Sequence, residues 1–112
     1  MGPNGTFVVR QQFSVGPPNS FLLELNNGAK AIYQTGTRNR KYLQQALQWS
    51  KRTVDLDPIS YNYDTLAHLL YRLRFFDEAE AMQQQAVAAA RQEQEPAASY
   101  EQELQKIKKR TL

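Results

Sequence analysis

The sequence, 112 residues long, contains no cysteine. That absence excludes disulfide scaffolds, thiolate-rich metal sites and thiol catalysis. Histidine is nearly as scarce, because His68 stands alone and cannot by itself build a multi-histidine metal site. We therefore expect neither a metal nor a cofactor.

Long apolar runs are also missing, since no stretch approaches the roughly 20 residues that a membrane-spanning helix needs. We expect no membrane insertion. The first residues lack the basic segment and long apolar stretch that are typical of a secretory signal. A cytoplasmic location is the default expectation, and a periplasmic location stays open if the chain is an excised domain.

Acidic residues are absent between Leu25 and Val54, although the net charge of the whole chain is only +3. Basic residues of this stretch share one face of a predicted helix with Gln45 and Gln48. They form a candidate basic patch of Arg38, Lys41 and Arg52. Such a face could follow the phosphates of a nucleic acid. The competing interpretation is an ordinary solvated face, so nucleic-acid binding is the weaker function hypothesis.

Residues 1–18 hold three of the five glycines and three of the five prolines. This composition predicts a flexible arm or expression remnant outside a domain at 19–112. In that domain, apolar residues recur at the three- and four-residue intervals of amphipathic helices. The pattern predicts an all-α fold of five helices, which begin near Asn19, Asn39, Ser60, Phe75 and Glu95.

The inward face of the second helix is predicted to consist of Leu43, Ala46, Leu47, Ser50, Thr53 and Val54. Asp57-Pro58 then ends this helix, because proline lacks the amide and disfavours helix in the residue before it. The glutamine run 83–85 is expected on exposed helix faces, since glutamine has good helix propensity.

Two segments repeat one short pattern, in which a large apolar residue precedes an alanine. The alanines, Ala46 and Ala79, lie 33 residues apart, close to the period of about 34 in tetratricopeptide repeats. The stretch 43–58 resembles the second helix of such a repeat with its terminal Asp-Pro, and 60–86 resembles a whole repeat. The resemblance implies two stacked antiparallel helical hairpins in a short right-handed superhelix, closed by a capping helix at 97–110.

The sequence departs from the family where Arg74 replaces the glycine that usually closes the first helix of a repeat. That turn must bend differently or carry strain. At residues 25–34, 46–58 and 63–73, the chain also resembles the helical tail that follows a thioredoxin domain in some bacterial proteins. Two hairpins are fewer than the three repeats usually needed for a self-sufficient array. A homodimer, or a structural role within a larger protein, is therefore an alternative.

The resemblance implies protein–protein interaction, because first helices of such hairpins line a concave surface that binds partners. The residues expected there, as a site for a peptide or protein segment, are Tyr61, Asp64, His68, Tyr71 and Arg72. The aromatic side chains would supply contact area, and the charged ones would fix orientation. The alternative is that Tyr61 and Tyr71 pack against the first or fifth helix.

His68 and Asp64 lie four residues apart on a predicted helix and could form an acid–base pair. This pair is the one catalytic arrangement that the sequence suggests. A catalytic dyad also needs a nucleophile or bound water in a dry pocket, and the sequence offers neither. We expect a helix-surface pair and no enzymatic activity.

Overall fold

The computed structural model describes residues 18–112, with side chains described from Leu23 onward. Helices and short connections make up this part of the chain, and it contains no strand. The helices are α1 (Pro18–Gln34), α2 (Arg40–Leu56), α3 (Ser60–Arg72), α4 (Phe76–Gln92) and α5 (Ala98–Lys109). The predicted all-α fold is confirmed, and most of the predicted arm lies outside the described residues.

The starts of two helices, α1 and α5, are the main differences from the predicted boundaries. Pro18, assigned to the arm, is the first residue of α1, where its missing amide costs nothing. The fifth helix begins at Ala98 instead of Glu95, because the Glu95 amide donates to the Ala90 carbonyl and closes α4. None of the helices in the described part is long and apolar enough to cross a bilayer.

The core follows the predicted stripes of α2, α3 and α4. All six predicted inward residues of α2 are buried, and so are the leucines that α3 directs inward. Ala46 and Ala79 are both fully buried, as expected where helices approach closely. The most extensive helix contacts are those of α1 with α2 and α3, of α3 with α2 and α4, and of α4 with α5.

Gln83 is an exception to the predicted exposed glutamines, because its side chain is fully buried in α4. Its Nε2 donates to Asp64 Oδ1 and to the Tyr100 carbonyl, both at 3.0 Å. One α4 side chain therefore joins α3 to α5. Helix propensity could not reveal this role, since both partners come from other helices.

The N-terminus of α3 is capped from another part of the chain. Its N-cap residue, Ile59, provides no side-chain hydrogen bond. The Glu93 carboxylate, which follows α4, instead accepts from the Ser60 amide at 2.9 Å and from the Ser60 hydroxyl at 2.7 Å. A carboxylate at this position satisfies exposed amides at the positive end of the helix.

Arg74 closes α3 in the left-handed conformation, with φ of 71°. The Arg74 amide donates to the Tyr71 carbonyl and the Phe75 amide to the Leu70 carbonyl, which is the Schellman pattern that glycine favours. The turn therefore keeps the geometry that glycine would give, at the steric cost of a side chain. The sequence-based expectation of strain at this position is consistent with that conformation.

We expect Arg74→Gly to raise the free energy of unfolding by about 0.5–1 kcal/mol. Glycine relieves the left-handed penalty of about 1–2 kcal/mol, and the loss of an exposed cation–π contact offsets part of the gain. Urea denaturation measures the change. Gln94 also has a left-handed φ, of 60°, so Gln94→Gly should raise the free energy of unfolding by a similar amount. A loss of stability in Arg74→Gly would contradict the assignment of strain.

Candidate protein-binding groove

A groove lies along α3 between α1 and α5, with a volume of about 270 Å³. Apolar and charged groups both line it. They are Lys30, Tyr33 and Gln34 of α1, Asp64, Thr65 and His68 of α3, Glu103 of α5, and Leu112. Of the five residues predicted for a concave binding face, Asp64 and His68 line this groove.

His68 joins the two sides of the groove. Its Nδ1 lies 2.7 Å from the Asp64 carbonyl oxygen, and its Nε2 lies 2.7 Å from Glu103 Oε1. Both partners are hydrogen-bond acceptors, and both ring nitrogens of His68 therefore face groups within the fold. The predicted pair is present, since His68 Nδ1 also lies 3.7 Å from Asp64 Oδ1, but the His68 side chain is mostly buried and its closest carboxylate belongs to α5.

Glu103 contacts His68 on one side and Lys106 on the other. Its Oε1 faces His68, and its Oε2 lies 3.1 Å from Lys106 Nζ. Burial raises the pKa of the Glu103 carboxyl, but the hydrogen bonds and charges of His68 and Lys106 outweigh it, so that the pKa lies below its ordinary value. The groove wall therefore keeps an ionised carboxylate at neutral pH.

Lys30, which lines the groove, contacts Tyr61 near the N-terminus of α3. The Lys30 ammonium lies 4.6 Å from the centre of the Tyr61 ring, and its Nζ lies 3.3 Å from the Tyr61 hydroxyl. Tyr61 therefore packs against the first helix, which was the alternative considered for it. Its polar edge also lines a separate depression with Glu93 and Tyr100.

Tyr71 and Arg72 lie at the opposite end of α3 and help hold the fold. The Arg72 guanidinium lies 4.2 Å from the centre of the Tyr33 ring, and its Nη1 donates to the Thr37 carbonyl at 3.1 Å. Burial raises the pKa of the Tyr33 hydroxyl, and Arg72 counteracts only part of that rise. The Tyr71 ring packs edge-on against Phe76 of α4 at 5.1 Å, a partner that the sequence-based alternatives did not name.

The structure places Arg38 apart from the other two residues of the predicted basic patch. Arg38 precedes α2 and lines a depression with Tyr71 and Arg72. Lys41 lines a different depression with Lys51, and Arg52 is exposed farther along α2. The helical spacing did not apply to Arg38, because α2 begins at Arg40 with Asn39 as its N-cap. Lys41 and Arg52 lie about three turns apart on one face of α2, and only Arg38 lies outside that helix.

Sequence reasoning missed Lys30, Tyr33 and Glu103 as groove residues. Glu103 lies 35 positions from its partner His68, beyond the reach of any helical spacing rule. The only signal in the sequence that could have identified Glu103 as a groove residue was an acidic residue on the inward side of the fifth helix. Among the described residues, no three histidine, aspartate or glutamate side chains cluster in a way that could hold a metal ion.

No protein-family model, no curated protein and no solved structure matches this chain. The likeness to tetratricopeptide repeats and to thioredoxin-linked tails therefore depends on the residues quoted above. These relationships, and the homodimer, stay predictions.

Proposed function

We propose that this chain is a protein-interaction module with tetratricopeptide-like hairpin stacking, and that it binds a partner segment in the α1–α3–α5 groove. The observation that supports the proposal most is the groove itself, where half-buried aromatic and charged side chains of three helices meet. Aromatic contact area combined with a few fixed charges is typical of sites that bind protein segments.

The size of the groove favours a protein segment over a small molecule. Its volume of about 270 Å³ lies below the roughly 300–1,000 Å³ of small-molecule sites. It can hold one or two side chains of a segment whose remainder lies along α3. His68 uses both ring nitrogens within the fold, which favours a structural role for it in the groove wall over an acid–base role.

The charges in the groove favour a particular kind of segment. Asp64 and Glu103 lie on one side, both partly exposed, and Lys30 lies across from them on α1. A segment with a donor group beside an apolar side chain would satisfy the carboxylates and cover Tyr33. We therefore propose that a neutral stretch of the partner occupies the groove, because Lys30 disfavours a basic one.

The test is selection of peptides from a displayed random library on the immobilised chain, followed by anisotropy titration of an enriched peptide. The double variant Lys30→Ala with Gln34→Ala should weaken binding about tenfold, the effect of losing roughly 1.4 kcal/mol of contact free energy. Neither residue is buried, so we expect little change in melting temperature.

The matched control is Gln48→Ala with Lys51→Ala, which removes the same residue types from exposed positions of α2. This pair lines a different depression and should leave the affinity unchanged. Equal weakening by both pairs, or failure to enrich any peptide, would refute the groove as the binding site.

A further inference from the structure

Four arginines surround a second depression, of about 420 Å³, at the C-terminal end of α3. We call it the arginine basin. Arginine and aromatic side chains dominate its lining, which consists of Tyr33, Arg38, Tyr71, Arg72, Arg74, Phe76, Arg110 and Leu112. The basin joins residues from the α1–α2 connection, the ends of α3 and α5, and the start of α4.

Aromatic rings hold three of the guanidinium groups in place. Arg72 lies over Tyr33 at 4.2 Å, Arg110 over Phe76 at 4.5 Å, and Arg74 over the same Phe76 ring at 5.5 Å. The Arg110 Nη1 also donates to the Ile107 carbonyl at 2.8 Å. Stacked guanidinium groups lose less conformational freedom when they bind an anion, because they are already ordered.

The positive charge of the basin is largely uncompensated. No acidic side chain is among its lining residues. The Oδ1 of Asp77 lies 3.9 Å from Arg110 Nη2, and the Asp77 side chain is fully exposed. Within residues 18–112, Arg38, Arg72 and Arg74 form no ion pair. Concentrated arginines without acidic neighbours attract an anionic group from outside.

We propose that the arginine basin binds a phosphorylated side chain of the partner segment. This inference depends on the proposed function, because the basin shares Tyr33 and Leu112 with the groove. A segment that lies in the groove therefore reaches the basin. A phosphoryl group carries nearly two charges and three acceptor oxygens, and the planar donor fork of arginine matches such oxyanions.

The distribution of cations favours a phosphorylated protein segment over a nucleic acid. A nucleic acid presents successive phosphates and needs a continuous basic track. Lys41 and Lys51 line a different depression that shares no residue with the basin. The basin is thus one compact site for a single dianion.

Phenyl phosphate is the simplest probe, because it combines a dianion with an aromatic ring. Titration followed by ¹H–¹⁵N NMR should shift the amide signals around Arg74 and Phe76. Arg74→Gly and Arg38→Gln should each weaken this binding about tenfold, as expected for one lost charge-assisted contact. Arg74→Gly is informative because we expect it to stabilise the fold, so weaker binding cannot arise from unfolding.

Arg52→Gln is the matched control, since it removes one exposed positive charge outside the basin and should leave the affinity unchanged. Benzoate, a monoanion of similar shape, should bind at least about tenfold more weakly than phenyl phosphate. Equal weakening by Arg52→Gln, equal binding of benzoate, or shifts spread over the whole surface would each overturn the proposal.

Two peptide libraries distinguish this proposal from the proposed function. One has a fixed central phosphoserine, the other has serine at that position, and capture of the two by the immobilised chain is compared. Preferred capture of the phosphorylated library, lost in Arg74→Gly, supports both. Groove-dependent capture that ignores phosphorylation would remove the basin proposal and leave the proposed function standing. Stronger binding of a single-stranded oligonucleotide than of any phosphopeptide would overturn the basin proposal in favour of a nucleic-acid site.

Discussion

Replacing Ile107 with alanine is expected to lower the free energy of unfolding by about 2–5 kcal/mol, the usual cost of emptying a buried aliphatic site. Ile107 is the one residue of α5 that is buried in the core, with 0% exposure. The remaining contacts of α5 are half-buried or polar, so this side chain is its main apolar anchor. Urea denaturation followed by circular dichroism measures the loss.

The substitution should also abolish peptide binding in the groove, because α5 provides Glu103 as one wall. The control is Leu104→Ala on the same helix, where the side chain is only half-buried and the loss should be less than half as large. Hydrogen exchange would distinguish local release of α5 from global unfolding. Equal losses for the two variants would contradict the role of Ile107 as the anchor.

The helices and their inward faces could be predicted from the sequence because both depend on local chemistry. The stripe of α2 is a clear example, since all six residues from Leu43 to Val54 that the spacing selects are buried. The start of the second helix near Asn39 is another, since Asn39 is its N-cap and its Oδ1 accepts from the Lys41 amide at 2.9 Å. Periodicity, capping and proline positions are properties of short windows, which a single sequence contains in full.

The candidate site was less predictable, because it depends on contacts between distant parts of the chain. Nothing in a helical spacing rule places Arg38 beside Arg72, whose Nη1 donates to the nearby Thr37 carbonyl. The same limitation explains Gln83, an amide on the buried side of α4 whose partners are 17 and 19 residues away. A buried polar side chain is recognisable only when its partners are known.

These two kinds of residue also have different roles in the proposal. The apolar stripes determine that the five helices pack together. This packing does not depend on which partner the chain binds. The identity of the ligand depends on polar side chains at helix ends, such as Arg74 and Glu103, where stacking brings several helices together. For this chain, sequence periodicity therefore predicts the scaffold, and the assembled helix ends carry the specificity.

Replacing Glu103 with alanine is expected to lower the free energy of unfolding at neutral pH by about 1.5–3 kcal/mol, the usual contribution of a buried charge-assisted hydrogen bond. The variant leaves the His68 Nε2 without its carboxylate partner, although the His68 side chain is only 12% exposed. Urea denaturation at neutral pH measures this loss. Glu101→Ala is the control on the same helix, since Glu101 pairs with the exposed Arg91 and should contribute less than about 1 kcal/mol.

The dependence on pH gives this prediction a second readout. The pKa of Glu103 is lower in the folded chain than its ordinary value, so the unfolded chain binds this proton more readily. The stabilisation by the ionised carboxylate is therefore complete above the unfolded pKa of about 4.3, and it is lost as the pH falls through the lower folded pKa. The stability difference between the unmodified chain and Glu103→Ala should shrink below about pH 4, as the Glu103 carboxylate gains its proton. A difference that stays the same at about pH 3, or a loss no greater than that of Glu101→Ala, would show that the His68–Glu103 contact does not hold α5 on α3.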